Sequence, residues 1–185
     1  MQDRRTQILD AALVVLAQQG LAQLTHRGTD EAAGLPQGST TYYFKKKSDL
    51  VEGAASRLAE ILDDDCAEVK RHFADLIAAN KRDEAIDYVA DDLLKFASEQ
   101  SDLLMARFEL TLAGARDPNL RHVADKLAEA AREPIAFFLR LLSGDLREDQ
   151  VESCMGILDG LSLIYATGQG PLPTKEQIRR LFLTV

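Results

Sequence analysis

Apolar residues along this chain recur at steps of three and four, and short polar or glycine-bearing breaks separate the runs, which predicts helices joined by tight turns. Asp3 is placed to cap a first helix carrying Ile8, Leu9, Ala12, Val15 and Leu16, with Gly20 closing it. Leu21 to Leu24 form a connection, Thr25 caps a second helix of about two turns ending at Gly34, and Leu35-Pro36 makes a turn. A third short helix is expected from Gln37 to Phe44, followed by Lys45, Lys46 and Lys47. Ser48 then caps a long fourth helix whose stripe is Leu50, Ala54, Leu58, Leu62, Val69, Phe73 and Leu76.

Asn80 to Asp83 break the chain before a fifth helix with Ile86, Val89, Leu93 and Phe96. Asp102 caps a sixth that is expected to end near Gly114, and Asp117-Pro118 signals the start of a seventh running to Leu142. An eighth is expected near 147–168, and Thr174 with Gln177 has capping-box spacing for a last one. No strand-like alternation of useful length and no internal repeat is present. The expectation is an all-α fold of about nine helices, three of them short and at the front.

Charge sharpens that division. The net charge of −8 argues against a polyanionic partner until the chain is split: residues 1–50 hold six Lys/Arg against five Asp/Glu, and the remainder sixteen against twenty-five. The acidity belongs to the long C-terminal part, while Lys45, Lys46 and Lys47 close the front. No apolar run is long enough to span a bilayer, and the charged start lacks the features of a secretory signal. Cys66 and Cys154 are far apart in helical patterns, as expected of two reduced thiols in a cytoplasmic protein.

Residues 22–50 read as a helix-turn-helix, whose second helix enters the major groove of DNA. That second helix, Gln-Gly-Ser-Thr-Thr-Tyr-Tyr over 37–43, has no apolar stripe. It offers hydroxyls and an amide to phosphates and base edges, threonine methyls to thymine methyls, and at Gly38 close backbone approach.

The stretch Leu24-Thr25-His26-Arg27, then Ala33-Gly34, Gly38-Ser39, Tyr42-Tyr43-Phe44, Lys47 and Leu50, resembles the DNA-binding signature of the TetR family, and Ile8 to Gly20 resembles that family's first helix. The resemblance covers about the first fifty residues; beyond them only helix number and length, and Leu158-Asp159-Gly160-Leu161, are similar. It implies a DNA-binding domain at residues 1–47 and a ligand-binding and dimerisation domain at 48–185. It also implies DNA contacts by Thr25, His26 and Arg27 at the second helix and by Gln37, Gly38, Ser39, Thr40, Thr41 and Tyr43 in the groove and along the backbone. Tyr42 and Lys47 would meet phosphates, and Phe44 would plug the small module's core. The chain departs from the pattern at four places: Thr40 stands where an aliphatic residue is frequent, Thr41 replaces an aromatic, Pro36 a capping serine, and Asp30 a small residue.

A module of this size makes few phosphate contacts, so two copies about 34–36 Å apart would read a palindrome far better than one. The eighth helix, apolar on nearly every face, is the expected dimer element through Val151, Cys154, Met155, Leu158, Leu161 and Tyr165, with Gly156 and Gly160 allowing close approach. Ile178, Leu181 and Phe182 of the last helix complete it. The resemblance also implies a small-molecule pocket, for which Phe73, Tyr88, Phe96, Met105, Phe108, Phe137, Phe138 and Tyr165 are candidate walls and Glu109, Asp159 and Ser162 candidate anchors. The effector is expected to be neutral and apolar, or a cation balanced by Glu109 or Asp159. The functional expectation is a ligand-responsive transcriptional regulator, a repressor released from palindromic operator DNA by its effector. The alternative is a helical protein-interaction module with a non-functional helix-turn-helix.

No enzyme, cofactor or metal is expected. His26, His72 and His122 are scattered, and no phosphate-binding glycine loop, Gly-x-Ser-x-Gly or Cys-x-x-Cys occurs.

Overall fold

A computed structural model describes residues 3–145 and 147–183; Met1 and Gln2 of the charged start lie outside it. The helices are α1 (Arg4–Gln19), α2 (His26–Ala32), α3 (Ser39–Tyr43), α4 (Lys47–Ala78), α5 (Arg82–Glu99), α6 (Ser101–Arg116), α7 (Arg121–Ser143), α8 (Glu148–Ala166) and α9 (Lys175–Leu183), with 3-10 turns at Leu21–Gln23 and Pro118–Leu120. Among the described residues there is no strand, and no helix is long and apolar enough to cross a membrane.

Local signals explain most boundaries. The Thr25 hydroxyl accepts the Gly28 N–H at 3.0 Å, starting α2. Thr174 and Gln177 form the reciprocal box, the Thr174 N–H donating to Gln177 Oε1 at 2.8 Å and the Gln177 N–H to Thr174 Oγ1 at 3.2 Å. Five expectations need correction. Asp102 does not cap α6, which begins one residue earlier at Ser101 and holds Asp102 in its first turn. Asp3 makes no side-chain cap bond. α4 begins one residue before Ser48, because Asp49 Oδ2 reaches back to the Lys46 N–H at 3.0 Å. Asp117-Pro118 starts the 3-10 turn, with Asp117 accepting the Asn119 N–H, and α7 begins only at Arg121. Gly114 does not end α6: a Cβ there would lie 2.4 Å from Ala124 Cβ and 2.9 Å from the Leu120 carbonyl oxygen, so the glycine serves close packing of α6 on the start of α7.

The chain forms two compact units that do not follow a simple front-and-back division. The first takes residues up to Ile61 together with Asp102–Ala128; the second takes Leu62–Ser101 and residues from Glu129 onward. In the first, the inner faces of α1, α4, α6 and α7 bury Ile8, Ala12, Leu16, Leu50, Leu58, Leu110 and Leu127, and Leu24 and Phe44 are enclosed with them. In the second, Val69 and Phe73 of α4 pack with Ile86, Val89, Phe138, Leu139, Val151, Cys154, Leu158, Ile178 and Phe182. Lys70 pairs with Glu133, and Arg179 with Asp87, at the edge of that core.

Candidate nucleic-acid interface

Gly38 sets the geometry of α3. It adopts φ +94 immediately before α3, a left-handed conformation that glycine reaches without steric cost, and it turns the chain out of the Leu35-Pro36 corner. α3 is then only five residues long, and its two faces differ sharply. Tyr42 is 73% exposed and Tyr43 40%, their rings edge-on at 5.1 Å, and Gln37, Gly38 and Thr41 are exposed beside them. Ser39 is half-buried and its hydroxyl donates to the Pro36 carbonyl at 2.6 Å. Exposing two adjacent tyrosines on so short a helix leaves apolar area in water that a flat partner would cover.

The basic groups lie close by. Lys45 Nζ stands 5.7 Å from the Tyr42 ring centroid. Lys47 Nζ donates to the Leu21 carbonyl at 2.8 Å and is exposed, keeping further N–H donors for an anion. Arg27 is exposed and paired with Glu31 at 3.0 Å across one helical turn, an interaction of small worth. The Arg5 guanidinium lies 5.2 Å from the Phe44 ring centroid, which brings the first turn of α1 to the end of α3.

Two of the expected DNA contacts have other work. Thr40 is fully buried, and both its N–H and its hydroxyl donate to Asp30, so it faces the interior and not the groove. His26 is half-buried, and its Nε2 donates to the Phe44 carbonyl at 2.8 Å. The carbonyl can only accept, so Nε2 carries a proton there. Conversely, Arg5 and Lys45 were not among the expected contacts. The Arg4-Arg5 pair and the start of the lysine run were the available signals.

The candidates for effector binding divide between the units. Phe73, Tyr88, Phe96, Phe137, Phe138, Asp159 and Ser162 belong to the second; Met105, Phe108 and Glu109 sit on the part of α6 that belongs to the first. Phe73 and Phe138 are fully buried with ring centroids 4.8 Å apart, and Phe137 and Phe182 stand edge-on to Phe138. Tyr88 is half-buried, edge-on to His72 at 4.4 Å. Near it on α5, burial and the neighbouring Asp65 carboxylate push the Asp92 carboxyl up to about 6, against the opposing pull of Lys95. Glu109 is no free anchor: its Oε1 accepts the Leu21 N–H at 2.7 Å. A buried cation also lies on an apolar face: Arg107 is only 7% exposed and lies 4.6 Å from the Phe108 ring centroid.

The expected dimer residues are likewise split. Val151, Cys154, Leu158, Ile178 and Phe182 are buried in the second unit's own core, so a partner could not reach them. The step from Val151 to Cys154 to Leu158 marks one stripe of α8, and that stripe faces inward. The opposite stripe carries Gly156, Ile157, Leu163 and Ile164, with the three large side chains 41–48% exposed, while Met155, Leu161, Tyr165 and Leu181 are intermediate. Cys66 and Cys154 are free thiols pushed up to about 11 and about 12 by burial, and they are far from reactive. Among the described residues no group of three or more potential ligands could hold a metal ion.

Two family models match the chain. Residues 8–54 match the family described as bacterial regulatory proteins, tetR family, and residues 80–185 match the tetracyclin repressor-like, C-terminal domain. A helix-turn-helix-type transcriptional repressor of Mycobacterium tuberculosis is 28% identical over 175 residues, covering 91% of this chain and 85% of its own. A TetR-family member from Streptomyces coelicolor A3 superposes with a TM-score of 0.73 at 27% identity, covering 99% of this chain and 98% of that one. The multidrug binding protein EbrR in complex with malachite green gives a TM-score of 0.69 at 28% identity, over 99% and 98% of the two chains.

Proposed function

The chain belongs to the TetR family of transcriptional regulators, and on that premise we propose that it binds palindromic operator DNA as a homodimer and is released by a small molecule. The observation that carries the reading is α3 itself: a five-residue helix with Thr41, Tyr42 and Tyr43 turned outward beside Lys45 and Lys47. Gln37, Thr41 and Tyr43 would meet base edges, and Thr25, Arg27, Tyr42, Lys45 and Lys47 the phosphate backbone. In this reading residues 1–47 serve DNA and 48–185 serve effector and partner. The exposed α8 stripe around Ile157 and Ile164 holds the second copy, and the protein works in the cytoplasm.

The effector is proposed to be an aromatic cation that binds within the second unit. A relative of the same fold carries malachite green. What supports that class here is the half-buried Tyr88 and the Asp92 carboxyl, whose ionised form is disfavoured by burial and by Asp65, since a bound cation would offset both costs. α4 runs unbroken from Lys47 to Ala78 and contributes to both units in turn, so an effector that shifts its second half would change the setting of the reading helix.

Electrophoretic shift with the DNA upstream of its own gene, repeated across salt concentrations, tests the first claim. The affinity should fall log-linearly with salt, at a slope of about −0.9 per phosphate contacted. A salt-insensitive or absent shift would refute DNA binding, and malachite green that leaves the complex intact would refute the effector class.

A further inference from the structure

Two of the positions where the sequence departs from the family signature are partners. Asp30, in place of a small residue, is 2% exposed, and Thr40, in place of an aliphatic one, is 0% exposed. The Asp30 carboxylate accepts the Gly38 N–H at 2.7 Å, the Thr40 N–H at 2.7 Å and the Thr40 hydroxyl at 2.6 Å. Burying a carboxylate is costly unless its lone pairs are filled, and three short, charge-assisted bonds fill them. Two of the donors are backbone amides at the first turn of α3, which have no partner within their own helix. A residue of α2 therefore caps α3 from outside, a role that a residue beside the cap usually performs.

The far end of α3 is held from the same place. His26 Nε2 donates to the carbonyl of Phe44, the residue that follows α3. His26 and Asp30 are four residues apart on α2 and so share one face of it. A five-residue helix has too few internal bonds to hold its own direction and takes it from its supports. One face of α2 supports it at both ends.

We propose that Asp30 is a positioning residue for operator recognition: with His26 it forms a two-point mount that fixes the pitch of α3, and hence which bases its exposed side chains meet, without touching DNA. The proposal rests on the operator-binding reading. It separates two quantities. Phosphate contacts depend on charge and tolerate small rotations of α3, whereas base contacts require alignment. Loss of the mount should lower discrimination between operator and unrelated duplex, and leave non-specific binding and the salt slope in place.

The test uses the full chain, an operator selected from random duplexes, and a scrambled duplex of the same length at fixed salt. Asp30→Asn keeps shape and removes the charge. It is expected to weaken operator binding by about tenfold or more, with the scrambled duplex changed by less than about twofold. Thr40→Val keeps the backbone bond, removes the hydroxyl, and should show the same pattern more weakly. It decides the matter alone if circular dichroism shows Asp30→Asn unfolded. Equal losses on both duplexes, or no loss on either, would overturn the mount. A wild-type chain that enriches no sequence at all would instead overturn the operator reading, and the mount with it.

Discussion

Glu109 Oε1 accepts the backbone N–H of Leu21 at 2.7 Å, and Lys47 Nζ donates to the carbonyl of the same residue at 2.8 Å. A side chain from α6 and one from α4 thus grip opposite polar groups of a single peptide-bearing residue between α1 and α2. The Leu21 N–H begins the 3-10 turn Leu21–Gln23 and has no other route to an acceptor within it. The approach is close enough that a Cβ on Gly20 would lie 3.2 Å from Glu109 Oε1. α6 is therefore wired to the connection that sets α2, and through α2 to α3.

Removing the acceptor should be felt at that connection. Glu109→Ala leaves a half-buried amide unpaired and is expected to cost about 1–3 kcal/mol, measured by chemical denaturation. Hydrogen exchange at the Leu21 amide should accelerate in step. Glu109→Gln retains a carbonyl acceptor and should recover most of the stability. Equal loss in both variants would mean that the carboxylate acts by charge and not by this bond.

The Asp30 network predicts an acid limb in stability. Burial opposes ionisation, but the bonds from Thr40 and Gly38, with the nearby His26, outweigh it and hold the carboxyl below its ordinary 3.8. A depressed folded-state value means that the folded chain binds fewer protons there than the unfolded one. The contribution is thus complete above 3.8 and is lost as pH falls through the lower, folded value. Thermal melts of wild type from pH 6 downward should show an acid decline that is shallower in Asp30→Asn. Parallel curves would remove Asp30 from the cause.

Asp92 carries the opposite sign. Its carboxyl is raised from 3.8 to about 6 by burial and by Asp65, so the folded state holds the proton more tightly than the unfolded state does. Stability falls as pH rises through that window, and the full penalty is present above it. Asp92→Asn should raise stability at pH 7.5 by about 1 kcal/mol, a value reduced for the solvent screening of a half-exposed group. In a chain of this length that is roughly 2–4 °C in melting temperature. The gain should shrink towards zero at pH 4, where the wild-type carboxyl is already neutral. A gain independent of pH would point to packing.

The front of the chain was the more legible part because its signals are local. Thr25 as a cap, Gly34 and Gly38 at turns, and the polar run 37–43 each act within a few residues of where they stand. Asp30 was harder to read, since its donors lie eight and ten residues away across a corner and no local pattern joins an acid on one helix to amides on the next. Glu109 reads as a pocket anchor because it is a lone acid on an apolar helix, whereas its partner is a backbone amide 88 residues away. The apolar character of α8 on all sides identified an element that needs covering twice. It gave no contrast from which to tell the inward stripe from the outward one. Only burial assigns Val151, Cys154 and Leu158 to the core and Ile157 and Ile164 to the surface.

That assignment separates folding from association. Ile157 is 48% exposed and stands one step from Gly156 and three from Gly160, where added Cβ atoms would meet nothing within 4 Å. A lysine at 157 can keep its ammonium in water in a single copy but would be desolvated against a second one. Ile157→Lys should therefore shift sedimentation from dimer to monomer, remove the dependence of melting temperature on protein concentration, and weaken binding to a two-half-site operator far more than to a single half-site. Phe182→Ala serves as the contrast. That side chain is fully enclosed in the second unit's core, and its truncation should cost about 3–5 kcal/mol of folding stability. An Ile157→Lys protein that still sediments as a dimer would place the second copy on some other face.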